Sequence, residues 1–154
     1  DKLELEVCGR QVQEDFAPCV EVCLADGSPT GLAFHGVPSG HEFTSFVLGL
    51  YNATGPGQAL DEDTRRRIAE IKAPVEAKIL VSLSCTMCPD LVIACQRIAT
   101  LNPNIRAEVY DIQHFDELRK KYNVMSVPCL VINDDNVSFG KKNINQVLDL
   151  IKQI

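Results

Sequence analysis

Residues 80–92 read LVSLSCTMCPDLV, and the two cysteines in this stretch, Cys85 and Cys88, decide how the rest of the chain is read. Thiols at this spacing serve as half of a metal site, as a structural crosslink, or as a dithiol that cycles with its disulfide. The flanks discriminate among the three. Upstream, AKILVSLS (77–84) is apolar and ends in turn formers, the pattern of a buried strand. Downstream, Leu91, Val92, Cys95, Ile98 and Ala99 recur at the spacing of one helix face. Pro89 suits the first turn of that helix, where its missing N–H costs nothing, and Pro103 suits its exit.

Working outward, IRAEVYD (105–111) alternates as a second strand, and HFDELRKKYNV (114–124) places Phe115, Leu118 and Tyr122 on one helix face. SVPCLVIND and NVSFG read as two strands joined by a turn at 133–136, and NINQVLDLIKQI (143–154) as a closing helix. Asn143 and Gln146 form its expected N-cap pair.

The order β-α-β-α-β-β-α over 77–154, with Cys-x-x-Cys at the first strand-to-helix junction, is the thioredoxin-like order. The first half is a partial echo of it. APCVEV (17–22) parallels VPCLVI (127–132), and each is followed by a polar turn, a short strand with a Phe, and an amphipathic helix. In the first half that helix is GHEFTSFVLGLYNA, with Phe43, Phe46, Val47, Leu50 and Tyr51 as its expected buried stripe. KLELEV adds one strand upstream, but an opening strand and helix of about 30–45 residues have no counterpart. The expected organisation is α/β, with two thioredoxin-like folds in tandem, the first incomplete and the second complete. Residues 1–56 make a partial unit without a redox pair, 57–76 a connector helix, and 77–154 the redox domain. The partial unit should leave an exposed sheet edge, covered by another chain or by the connector.

Composition narrows the function. The formal net charge of -6 argues against nucleic-acid and anionic-membrane partners, and Arg65-Arg66-Arg67 reads as a solvated helix face. No apolar run approaches the roughly 18 residues of a membrane span. No signal peptide is visible, although the chain opens on DKLELEV without a Met. Seven scattered cysteines, an odd number, fit redox-active or free thiols in a reducing, cytoplasmic compartment better than a secreted disulfide scaffold.

The cysteines divide by position. Cys85, at the helix N-terminus, is expected to be the exposed nucleophile, because unsatisfied N–H groups there favour a thiolate and lower its pKa from ~8.5 to about 3.5–7.5. Cys88, about one turn into the helix, is expected to be buried and to resolve a mixed disulfide. A zinc site needs two more ligands, and neither a second Cys-x-x-Cys nor a His pair at ligand spacing exists among His35, His41 and His114. Cys95 lies ~10.5 Å up the helix from Cys88 and reads as core packing. Cys19 and Cys23 lie ~13 Å apart on one strand and read as buried small residues. Cys8 is silent. In a thioredoxin-like fold the Val127-Pro128 bond should be cis and lie against the dithiol, shaping the groove where a partner backbone pairs. Cys129 then reads as an ordinary strand cysteine or as a third thiol near the site. Glu42 has two readings: the second half of a Ser39-x-x-Glu42 capping box, or a partly buried carboxylate that relays protons to the dithiol.

Four stretches, SGHEFTSFVLGLYNATG, SLSCTMCPDLV, LNPNIRAEVYD and NVMSVPCLVIN, make the sequence resemble the N-terminal region of the flavoprotein subunit of bacterial alkyl hydroperoxide reductase. The resemblance implies two fused thioredoxin-like folds, the second with the redox disulfide Cys85–Cys88 and with Pro128 as its cis proline. It implies electrons from an FAD- and NADH-dependent reductase partner or C-terminal body, passed on to the disulfide of a peroxiredoxin. The family's Glu in GHEF falls on Glu42, as an acid near the dithiol. Thr86-Met87 depart from the His-Asn of familiar members, and Cys129 replaces a small apolar residue. The chain lacks the start of the first fold and the flavin body, so it is expected to be a fragment or a module fed by a separate reductase. Two other readings stay open: a stand-alone glutaredoxin- or disulfide-isomerase-like oxidoreductase, and a non-enzymatic metal-binding module using Cys85, Cys88 and Cys129.

Overall fold

The computed structural model describes Glu4 and residues 17–154, so Cys8 and the rest of KLELEV lie outside the described residues. Its elements run β1 (Cys19–Cys23), β2 (Pro29–His35), α1 (Glu42–Thr54), α2 (Glu62–Ala69), β3 (Val75–Val81), α3 (Cys88–Leu101), β4 (Ile105–Asp111), α4 (Asp116–Lys121), β5 (Cys129–Ile132), β6 (Asn136–Phe139) and α5 (Ile144–Lys152).

The strands form one six-stranded sheet in the order β1-β2-β4-β3-β5-β6. β3 and β4 pair in parallel, and β5 returns antiparallel to β3. Ile79, Leu80 and Val81 are fully buried, because β3 is central and covered on both faces. Alternation along the strands sends Ile79, Val109 and Leu130 into the larger core beneath α1, α3 and α5. It sends Leu80, Tyr110, Cys129 and Val131 to the opposite face, where Phe115, Leu118 and Tyr122 close a second cluster.

Among the described residues, the N-terminal segment builds no sheet of its own. Its hairpin β1–β2 joins the sheet of β3–β6 through parallel pairing of β2 with β4, leaving β1 as the outer strand among the described residues. The echo seen in the sequence is structural. Ala17-Pro18 and Val127-Pro128 are both cis, and each precedes an antiparallel hairpin. Gly36 N–H donates to Pro18 O at 2.7 Å, and Gly140 N–H donates to Pro128 O at 2.9 Å.

Three expectations require correction. The stripe of α1 splits: Phe46 and Leu50 pack partly against the core, while Phe43, Val47 and Tyr51 are exposed. The buried face is instead Glu42, Ser45, Gly49 and Asn52. The reason is close approach to α3. A Cβ at Gly49 would stand 2.9 Å from Gln96 Oε1, so the small face of α1 fits there and the bulky one does not. Second, Cys23 is exposed and Cys19 only half-buried, because β1 is an outer strand whose register shifts between Val22 and Cys23. Third, the connector is helical only over Glu62–Ala69, where Asp61 caps the helix by accepting from Thr64 N–H at 2.9 Å.

Candidate active site: the Cys85–Cys88 dithiol

β3 ends at Val81, and a short turn delivers Cys85, whose N–H donates to Ser82 O at 3.0 Å. α3 begins at Cys88 with Pro89 in its first turn, so Cys88 stands at the helix start rather than one turn inside it. Cys85 and Cys88 are joined in a disulfide with a Cα–Cα distance of 5.6 Å. The pair is asymmetric. Cys88 is fully buried in the main core, Cys85 is half-exposed, and Thr86 and Met87 between them are exposed. Cys85 is therefore the sulfur that a second protein can reach.

The cis Val127-Pro128 loop faces the pair, with Val127 O 4.0 Å from Cys85 Sγ. This carbonyl borders the half-exposed Cys85. Cys129, one residue on, turns away: it is fully buried on the opposite face of the sheet, and burial pushes its thiol up to about 11. Cys95 stays on the dithiol's side but is also buried, which pushes its thiol up to about 12. Neither is a ready nucleophile. Among the described residues, no group of three or more His, Cys, Asp or Glu side chains comes together as metal ligands.

The first turn of α1 is docked onto the loop that leads into Cys85. His41 N–H donates to Leu83 O at 3.0 Å. Gly40 makes this approach possible, with φ +57° and a hypothetical Cβ only 2.5 Å from Leu83 O. Sequence reasoning missed this contact, whose single signal is a glycine in PSGHEF. Gly40→Ala is expected to cost about 1–3 kcal/mol in urea unfolding and to loosen the loop before Cys85. An unchanged unfolding midpoint would show that the contact carries no strain-sensitive packing.

The capping-box reading of Glu42 is not formed. His41 occupies the N-cap without a side-chain bond, and Ser39 Oγ donates to Val37 O at 3.2 Å. The Glu42 carboxyl is fully buried, takes a short hydrogen bond from Ser45 Oγ on Oε2, and leaves Oε1 without a partner among the described residues. Burial raises its pKa to about 7, against the lowering effect of the Ser45 bond.

Comparison with known proteins agrees with this architecture. The thioredoxin domain family model matches residues 75–152, just over half of the chain. The F subunit of alkyl hydroperoxide reductase from Pseudomonas aeruginosa is 38% identical over 122 residues, covering 79% of this chain and 23% of that protein. The chain thus spans about a quarter of the length of such curated relatives. The NTD_N/C domain of alkylhydroperoxide reductase AhpF from Enterococcus faecalis superposes with a TM-score of 0.84 at 41% identity, over 88% of this chain and 65% of that one. A protein disulfide oxidoreductase from Aeropyrum pernix superposes with a TM-score of 0.74 at 26% identity, over 80% and 55% of the two chains. The fold and the Cys-x-x-Cys pair point to thiol–disulfide electron transfer. The chain belongs to the thioredoxin-domain family, and it is similar to the N-terminal region of alkyl hydroperoxide reductase AhpF.

Proposed function

We propose that this chain carries electron pairs from a flavoprotein reductase dithiol to the disulfide of a peroxiredoxin, through Cys85 and Cys88, in support of peroxide removal. The observation that carries the reading is the asymmetry of the pair: one cysteine half-exposed beside the cis-proline loop and one fully buried at the helix start. FAD and NADH belong to the reductase, and this chain's own residues handle only the sulfur exchange. In this reading residues 77–154 are the redox unit, 1–56 a partial unit without a redox pair, and 57–76 the connector. The setting is the cytoplasm, where thiols stay reduced.

The cycle balances in four exchanges. A donor thiolate attacks the Cys85–Cys88 disulfide at Cys85, forming a mixed disulfide and releasing the Cys88 thiolate. The donor's second thiol displaces Cys85, so the donor leaves oxidised and the chain holds two thiols. The Cys85 thiolate then attacks the acceptor disulfide, and Cys88 displaces the acceptor as a dithiol while the intramolecular disulfide re-forms. Pro128 shapes the groove where the partner backbone lies. Glu42, with its pKa near 7, takes and returns the proton of the buried thiol.

Cys88→Ser tests this order of attack. Without the resolving thiol, the variant should accumulate a mixed disulfide between Cys85 and the acceptor, seen by mass spectrometry and dispersed by dithiothreitol. A trapped adduct on any other cysteine would reverse the roles. The likeness to a protein disulfide oxidoreductase favours a second reading, a stand-alone oxidoreductase. Turnover of a disulfide substrate with glutathione or a small dithiol, and none with a reductase, would select it.

A further inference from the structure

A guanidinium withdrawn from water needs a counter-charge or a full set of acceptors. Among the described residues, Arg97 on α3 has neither. It is 4% exposed, and its Nε reaches no acceptor. Among the described residues no carboxylate lies within ion-pair distance of it. Burial, with the positive charge of Arg65 nearby, pushes its pKa below the ordinary value. The group remains charged all the same, since arginine does not deprotonate in proteins.

The surroundings are shaped for something to meet that charge. One side of the guanidinium lies on the backbone of Gly57, where an added Cβ would stand 2.1 Å from Nη1. Arg97 also lines a cavity of about 540 Å³, bounded by residues 58–60, by α3 and by the start of α5. This volume is in the range of small-molecule sites, roughly 300–1,000 Å³. Lys141 and Lys142 line the same cavity. Lys142 Nζ is engaged by the carbonyls of Phe139 and Gly140 at 2.7 and 3.1 Å. Asp90 is the one acidic residue of the lining among the described residues, and Lys141 Nζ offsets it at 3.5 Å. That pair is exposed, so it is weak and can open. The first turn of α5 forms another wall and adds the positive end of its dipole. Leu60, Ile93 and Ile144 supply apolar surface. The cavity therefore carries surplus positive charge on a chain whose net charge is -6.

We propose that this cavity binds a small organic oxyanion, a phosphate monoester or a carboxylate on a partly apolar body, with Arg97 as its ion-pair partner. The fork of Arg97 takes two oxygens of the anion, a geometry that an ammonium group does not reproduce. Lys141 turns from Asp90 to the ligand, and the body lies on Leu60, Ile93 and Ile144. The site uses none of Cys85, Cys88 and Glu42, so it stands or falls apart from the redox reading.

The test is amide NMR of the full chain titrated with inorganic phosphate, glycerol 3-phosphate and citrate, at constant pH and with ionic strength held by sodium chloride. Saturable shifts are expected at residues 57–60, 93–97 and 141–146. Tighter binding of glycerol 3-phosphate than of citrate assigns the site to a phosphate monoester, and the reverse assigns it to a carboxylate. Arg97→Met, which keeps length and apolar packing, should weaken binding by about tenfold or more. It should also remove the rise in melting temperature that the anion gives the parent chain. Lys141→Gln lies on the surface and should weaken binding a few-fold while the fold is intact. If Arg97→Met does not fold, Arg97→Lys replaces it, with weaker binding expected from loss of the fork. No saturable shift with any of the three anions at about 10 mM would overturn the proposal. So would equal affinity in the parent and the Arg97 variant.

Discussion

Cys85→Ser is expected to lower disulfide-reductase turnover by about a thousandfold or more, with the fold intact. A serine hydroxyl does not ionise near neutral pH and cannot form the mixed disulfide through which every exchange of the proposed cycle passes. Cys85 is half-exposed in the turn before α3, so the substitution opens no large cavity in the core. The loss should fall on turnover in a coupled assay with a reduced donor, and urea unfolding under reducing conditions should change little. Cys95→Ala gives the contrast. Its thiol is buried and pushed up to about 12, so it takes no part in exchange, and turnover should survive the change. Full activity in Cys85→Ser would sink the mechanism outright.

Glu42→Gln is expected to stabilise the chain by about 3 kcal/mol at pH 8 and to leave it unchanged below pH 4.5. The carboxyl has an ordinary pKa of 4.5 and a folded value of about 7, raised by burial. Between those values the folded chain keeps a proton that the unfolded chain has released, so stability falls as pH rises through the window. Below it both states are protonated and there is no cost. Above it both are ionised, and the full cost of a buried carboxylate is present. A rise of one in pKa corresponds to about 1.36 kcal/mol, which sets the size of the gain. Gln removes the charge and with it the pH slope, which urea unfolding at a series of pH values would read. The same variant should turn over more slowly if Glu42 carries protons for the dithiol, a gain in stability with a loss in activity. Identical pH slopes in the two proteins would return Glu42 to a packing role.

Much of the fold was legible because it is written in short-range patterns. β4 falls on 105–111 as its alternation predicts, and α5 carries the capping box expected of Asn143 and Gln146. The repeat of Pro-Cys, strand, turn, strand and helix is visible in the letters and returns as two matching hairpins after cis prolines. The placement of Cys85 and Cys88 at the strand-to-helix junction was equally legible, although Cys88 stands at the helix start rather than one turn within it.

The face of α1 was not legible in this way. By periodicity, Phe43, Val47 and Tyr51 form the better apolar stripe, yet they are exposed. The choice was made by α3, whose Gln96 admits only the glycine face. Glu42 followed from that choice: a local rule makes it a cap, and the docking of α1 makes it a buried carboxyl with an unpaired oxygen. The repeat by itself places the hairpin β1–β2 in a separate sheet, but β4 offers it a free edge.

The sequence by itself therefore determined the order of elements, the internal repeat and the placement of the dithiol, all of which rest on spacing within a few turns of chain. Tertiary structure alone decided which face of α1 turns inward, why Glu42 holds its proton to about pH 7, and how Arg97 comes to be buried without a counter-charge. Those outcomes depend on which surfaces exclude water together, and desolvation is a property of the packed assembly of elements rather than of any one segment.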